Sequence, residues 1–396
     1  MKAIRTPWAA VLLVLLCVAE PVHARRRAVT HPMNPAPEAR ALTLAVTNLV
    51  LDTYRDEDLE TLWTWMDDHP RATESSLYAV VPPVRAFAYV VKYENENADP
   101  EHIATAIDQL EISVDRYELW GRTWLSPSVV NFHVLVAHRI VQHDELPAEI
   151  RNRAALLWQS VQLMAELEAG AGLVWPLPTP ADSSETGDSK AEEFAWRATH
   201  FAAALLANPG HVDSGPWERA MRQMGYDAIT RPSDPPDLEG FKFTTVTEDF
   251  RLDNHFVEGN PYYAIATPHL LLMAELCYRV VGKTGPEELR HNIAELYAVY
   301  KTYCSETPDG QFFWNRPSSP SGDPTMFPFG MGGEPQRDLA LARARVASGT
   351  LWGTAPPPGP IRESDFFTTV QDHKVGLYYA VGLYLWYVPG PVLPDR

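Results

Sequence analysis

Chemistry-bearing side chains crowd into one stretch, Thr247 to Tyr263, which holds Glu248, Asp249, Asp253, Asn254, His255, Glu258, Tyr262 and Tyr263. The run lacks helical periodicity and does not have the composition of a plain linker. Long loops carried by a rigid scaffold are where catalytic groups concentrate. Asn254 and His255 set an amide donor beside an imidazole base, and Tyr262 or Tyr263 brings a phenol within reach of the same space. An amide, an imidazole and a phenol suit removal of a proton next to a carboxylate. The amide polarises the carboxylate, the imidazole takes the proton, and the phenol protonates the departing oxygen. That is the chemistry of β-elimination from a uronate. Asp249, Asp253 and Glu258 are then substrate-binding groups. In the competing reading Asp249 and Asp253 cap or turn the chain and the tyrosines belong to the core.

Other residues bear on the same choice. Asp249, Asp253 and Glu258 also offer a general acid and base for a glycoside hydrolase, whose mechanism is set by the separation of its carboxyl groups. A third possibility is a non-catalytic glycan-binding or cell-envelope scaffold protein. Trp120, Trp124, Trp175, Trp196, Trp314 and Trp352 supply aromatic faces for pyranose rings. Trp175, Trp196 and Trp314 are the candidates carried forward. Arg343, with Arg337 and Arg345, offers a basic patch for an anionic glycan, although a solvated helix face accounts for the three equally well. His133 and His138 stand at i,i+5 rather than the i,i+4 of helix-borne zinc pairs, so no metal site is expected there. Gly330, Gly332 and Gly333 lack the Lys-Ser/Thr signature of a phosphate loop, and no cofactor is expected.

The elements that must hold these groups read as helices. Apolar residues recur on one face from about Ala39, with Leu42, Val46, Leu49 and Val50, then Leu59, Leu62 and Met66. Further helices are expected over 77–91, 101–118, 127–143, 148–169, 190–207 and 216–228. Ser126-Pro127 opens one of them, and Gly170 and Gly172 lie where another should close. Thr267 is expected to cap a helix opened by Pro268 and closed by Gly282. Thr284 to Glu287 has the form of a capping box leading the next helix. Asp309-Gly310 marks a turn within a Pro-, Gly- and aromatic-rich stretch over 305–335. Helix is expected again over 336–348 and 370–388. No β-alternation is sustained enough for a sheet. The fold class is all-α, with helical hairpins closing into a toroid or stacking as an open solenoid. Residues 179–190 read as a long surface loop inside one helical domain spanning 39–392.

The N-terminus carries Lys2 and Arg5, an uncharged run from Trp8 to Ala19, and small residues around Val22-His23-Ala24. This is a signal peptide, 1–24, cleaved after Ala24 and followed by a flexible leader over 25–38. The apolar run is too short for a span of about 20 residues, so no stable membrane insertion is expected after cleavage. Loss of Lys2, Arg5 and Glu20 removes one net positive charge, taking the chain from -18 to -19. So acidic a surface disfavours nucleic acid, which is bound through clustered Lys and Arg. The expected locale is secreted or periplasmic. Cys277 and Cys304 remain after cleavage, both near the C-terminal ends of consecutive expected helices; antiparallel packing sets the two thiols at opposite ends, and they are read as buried small hydrophobes rather than a disulfide.

The run Asp253-Asn254-His255, followed by Asn260-Pro261-Tyr262-Tyr263 and a helix, resembles the Asn-His segment of secreted polysaccharide lyases of the (α/α) toroid, the alginate and heparin lyase type. Ala195-Trp196-Arg197-Ala198, Asn208-Pro209-Gly210-His211 and Trp217 resemble the preceding helix pair of such proteins. The likeness covers about 190–385. It implies an all-α toroid acting on a polysaccharide, with Asn254 neutralising a carboxylate, His255 as base and a tyrosine as acid.

Overall fold

The computed structural model describes residues 47–48, 51, 56–68, 79, 81–120, 126–174, 189–236, 240, 242–252, 261–301, 304–306 and 312–314. The expected signal peptide and leader, and the helices expected over 336–348 and 370–388, lie outside the described residues. Nine α-helices of eight residues or more are found among the described ones. They are α1 Asp56–Asp68, α2 Val81–Asn95, α3 Pro100–Trp120, α4 Ser126–Ile140, α5 Ala148–Val174, α6 Ala191–Ala207, α7 Ser214–Asp227, α8 Pro261–Arg279 and α9 Ile293–Lys301. A 3₁₀ turn, Glu287–Arg290, precedes α9.

Local chemistry explains where several of these begin and which face they bury. Asp99 caps α3 by accepting the Glu101 N–H at 3.0 Å, one residue before the Pro100 that preforms the first turn. In α3, Ile103, Ala106, Ile107 and Leu110 follow the one-face spacing, and all four are buried. Two helices are enclosed almost all round: α2, and the alanine-rich α6, where Ala195, Ala198, Ala202 and Ala203 present little bulk to their neighbours.

Packing sorts the helices into two layers. Each even-numbered helix pairs with its successor, α2 on α3, α4 on α5 and α6 on α7. The even-numbered helices also pack side by side, α2 on α4, α4 on α6 and α6 on α8, and form the inner layer. Residues 96–99, 141–147 and 208–213 join the members of each pair. Helices joined so closely and packed along their length run antiparallel. The inner helices therefore point the same way. Their N-termini share one end of the stack with the C-termini of α3, α5 and α7, and the short hairpin loops lie at the other end.

Three expectations about helix ends are corrected. Gly170 and Gly172 do not close α5, which continues to Val174. Gly172 sits where a Cβ would lie 2.2 Å from His200 Nε2, so its role is close approach of α5 to α6. Thr267 is not a cap. Helix α8 opens at Pro261, the first-turn position proline favours, and carries Pro268 inside it. An interior proline costs about 3 kcal/mol. The buried run Leu270, Leu271, Met273, Ala274 and Leu276 against α6 offsets it. Gly282 does end α8, at φ 72°, and the Lys283 N–H returns to the Tyr278 carbonyl at 3.0 Å, the pattern of a Schellman closure.

The capping box at Thr284 to Glu287 does not form either. Pro286 precedes the 3₁₀ turn with no side-chain cap, and α9 starts only after Asn292, which is left-handed at φ 56°. The reason is the buried Glu275 carboxylate. It accepts the Gly285 N–H at 3.2 Å and Arg290 Nη1 at 2.8 Å, and a Cβ on Gly285 would lie 2.2 Å from its Oε2. The loop is drawn over that carboxylate instead of turning into a helix.

The all-α class holds for the described residues apart from one short ladder. Strands β1 Cys304–Glu306 and β2 Phe312–Trp314 pair antiparallel, with Cys304 opposite Trp314 and Glu306 opposite Phe312. Asp309-Gly310 falls in the intervening 307–311, outside the described residues. Cys304 thus opens a strand rather than ending a helix, while Cys277 is a free, buried thiol on α8. Burial pushes that thiol up to about 12.

Candidate functional site

The stretch singled out by its chemistry enters α8, an inner helix, at the end of the stack that carries the long connections. Tyr262 and Tyr263 occupy the first turn of α8. Asp253, Asn254, His255 and Glu258 lie outside the described residues. The approach to them, Thr247 to Leu252, is described and tightly built. Phe250 N–H donates to the Thr247 carbonyl at 2.9 Å, Thr247 N–H to the Arg251 carbonyl at 3.0 Å, and Arg251 N–H to Thr247 Oγ1 at 2.9 Å. Asp249 is exposed and accepts the Thr247 hydroxyl within this turn. Phe250 is held at φ 58°, a conformation a bulky residue rarely adopts, yet its ring is 6% exposed. The Arg231 guanidinium sits 4.7 Å over that ring, a cation–π contact that fastens the turn to the residues following α7.

Arg231 leads to a cluster that spacing along the sequence did not reveal. Asp234 accepts the Arg231 N–H at 2.7 Å, Arg231 Nη2 at 2.8 Å and Asn292 Nδ2 at 2.6 Å. Burial alone raises its carboxyl, but these donors prevail and hold it below the usual aspartate value. Asn292 Nδ2 also donates to the Ile229 carbonyl at 2.9 Å. Both oxygens are acceptors only, which fixes that atom as the amide nitrogen. The same nitrogen lies 3.0 Å from His291 Nε2, with its two hydrogens already given to those oxygens.

His291 Nε2 is 3.4 Å from Asp234 Oδ2, and the imidazole stacks on Tyr226 with centroids 4.0 Å apart. Burial pushes His291 below its usual value, against the pull of Asp234 and Glu295. The ring is thus held beside a carboxylate, with its side chain 18% exposed. Lys242 closes the cluster by donating to the Pro232 and Asp234 carbonyls, and Ser233 donates to Glu248. The pair His291-Asn292 is an adjacent imidazole and amide, a signal of the same kind as Asn254-His255. Its acid partner, Asp234, could not be matched to it from sequence, being 58 positions from Asn292.

The remaining site expectations fall as follows. Trp196 lies on α6 and is 3% exposed, so packed side chains rather than solvent meet its ring. Trp314 ends β2, and nothing further of it is described. Trp175 and Arg343 lie outside the described residues. His133 is fully buried on α4, as expected of a core histidine. Among the described residues no group of three His, Cys, Asp or Glu side chains is arranged to hold a metal ion.

No family model, curated protein or solved structure matches this chain. Among the described residues no helix is long and apolar enough to cross a membrane.

Proposed function

We propose that this is an exported protein, secreted or periplasmic, whose hairpins form an (α/α) toroid that cleaves a uronate-containing polysaccharide by β-elimination. His255 removes the proton, Asn254 neutralises the adjacent carboxylate, and Tyr262 or Tyr263 protonates the leaving oxygen. The observation that carries this reading is the position of the two tyrosines. They occupy the first turn of α8, seven or more positions after Asn254-His255, on an inner helix anchored against α6. The alternation of inner and outer helices supports the toroid, because a ring of hairpins repeats that pairing. Asp249 is engaged by the Thr247 hydroxyl, which favours elimination over hydrolysis by that carboxylate.

The test is incubation of the mature protein with a panel of uronate polymers while following the ultraviolet absorbance of the unsaturated product. Elimination raises that absorbance in step with new reducing ends. New reducing ends without absorbance would replace the lyase by a hydrolase. Glycan retention with neither signal would leave a binding or scaffold protein.

A further inference from the structure

Helix α5 belongs to the outer layer and shows an apolar stripe that none of the described residues covers. Its inner face packs Leu157, Val161, Met164 and Ala165 against α4 and α6. On the other side Leu156, Leu163 and Leu167 are 64%, 55% and 49% exposed. Gln159, Ser160 and Gly170, also exposed, complete that side without a charge. On a chain of net charge -18 this is an uncharged window.

The stripe is complementary to itself. Leu156 and Gly170 stand seven positions either side of Leu163, so an antiparallel copy with its two-fold axis at Leu163 sets each Leu156 over the other's Gly170. A Cβ built on Gly170 meets no atom within 4 Å, which leaves the room a leucine side chain requires. In the same register Leu167 faces Gln159, and the partly exposed Glu166 faces Ser160, so no like charges are opposed. We propose that this face of α5 docks a second copy of the chain, as an isologous helix pair centred on Leu163.

The occupant follows from the self-complementary register and from charge. Two copies of an acidic chain approach with least repulsion through an uncharged window, and added salt screens what repulsion remains. A stable interface buries about 800 Å² per partner, more than a single helix-on-helix contact of this length offers. The dimer is therefore weak and concentration-dependent, and salt strengthens it.

The test uses the full mature chain. Sedimentation over a wide concentration range should show a monomer–dimer equilibrium that tightens as salt is raised, and Leu163→Glu should weaken it at least tenfold with helical circular dichroism unchanged. A short thiol-to-thiol crosslinker should link Leu163→Cys to itself several-fold better than Leu156→Cys to itself. A mixture of Leu156→Cys and Gly170→Cys proteins should link across, above the background of the unsubstituted chain. A monomer at every concentration would overturn the proposal. So would Leu156→Cys linking to itself as well as Leu163→Cys does, or association untouched by Leu163→Glu. Crosslinks from position 163 into residues 370–388 of the same molecule would overturn it in favour of the chain's own apolar C-terminal stretch.

Discussion

A carboxylate meets a histidine at both ends of the helical stack, and the two meetings differ in kind. At the end with short hairpin loops, Glu94 of α2 accepts Arg139 Nε of α4 at 2.5 Å and lies 3.1 Å from His143 Nε2 in the loop that follows α4. His143 Nδ1 is 2.9 Å from Glu145, which also accepts the Tyr93 hydroxyl. The Glu94 and His143 side chains are each 6% exposed, so this cluster bolts two hairpins together. At the end with long connections, Asp234 and His291 are bridged by Asn292, and the imidazole stacks on Tyr226 near the surface. The same residue types lock backbone where loops are tight. Where loops are long they gather an imidazole and a carboxylate near the turn, Thr247 to Leu252, that precedes Asn254 and His255.

The largest break in this contrast should come from Glu94→Gln. Removing one partner of a buried ion pair strands the other, at a cost of about 3–5 kcal/mol. Asp234→Asn, whose partner Arg231 is 30% exposed, should cost about 1–2 kcal/mol. Urea unfolding followed by circular dichroism measures both as midpoint shifts at unchanged slope. Equal losses would erase the distinction between bolt and rim.

Acid should find the interior next. Burial pushes His200 down to about 3 and His138 down to about 4, so both are neutral in the fold and charge readily once unfolded. Because the folded values are depressed, the stabilisation is fully present above the unfolded value of about 6.5. It is lost progressively as pH falls from about 6.5 to the folded values near 4 and 3, where the loss levels off. Each histidine is worth roughly 3 kcal/mol or more across that window, and thermal unfolding as a function of pH should show the loss. Melting independent of pH over this range would contradict the buried placement.

Two smaller effects sharpen the rim. An NMR titration should put the His291 midpoint below the ordinary histidine value. Asp234→Asn should lower it further, because the carboxylate favours the charged ring. An upward shift in that variant would mean that His291 does not face Asp234. Phe250→Leu removes the ring beneath Arg231 and should cost about 0.5–1 kcal/mol, read as faster amide exchange over 247–252.

Much of the helical framework was legible because its apolar residues recur at helical spacing. The expected 101–118 and 190–207 lie within a few residues of α3 and α6. What misled were local signals overruled by packing. Thr267-Pro268 reads as a helix start, but burial of α8 against α6 carries the helix through it. Gly172 reads as a stop, but the approach of His200 makes it a contact. In the candidate site the types were readable at Asn254, His255, Tyr262 and Tyr263. Asp234, His291 and Arg231 were not, since their meeting depends on how the connection after α7 folds back against the 3₁₀ turn.

The most direct measurement is the ultraviolet absorbance of a uronate polymer turned over by the mature protein and by His255→Ala. Elimination by an imidazole base predicts a rising signal from the first and a rate at least about 100-fold lower from the second, with helical content unchanged. An equal rise from both proteins, or a flat trace from the unsubstituted protein on every uronate polymer, would contradict it.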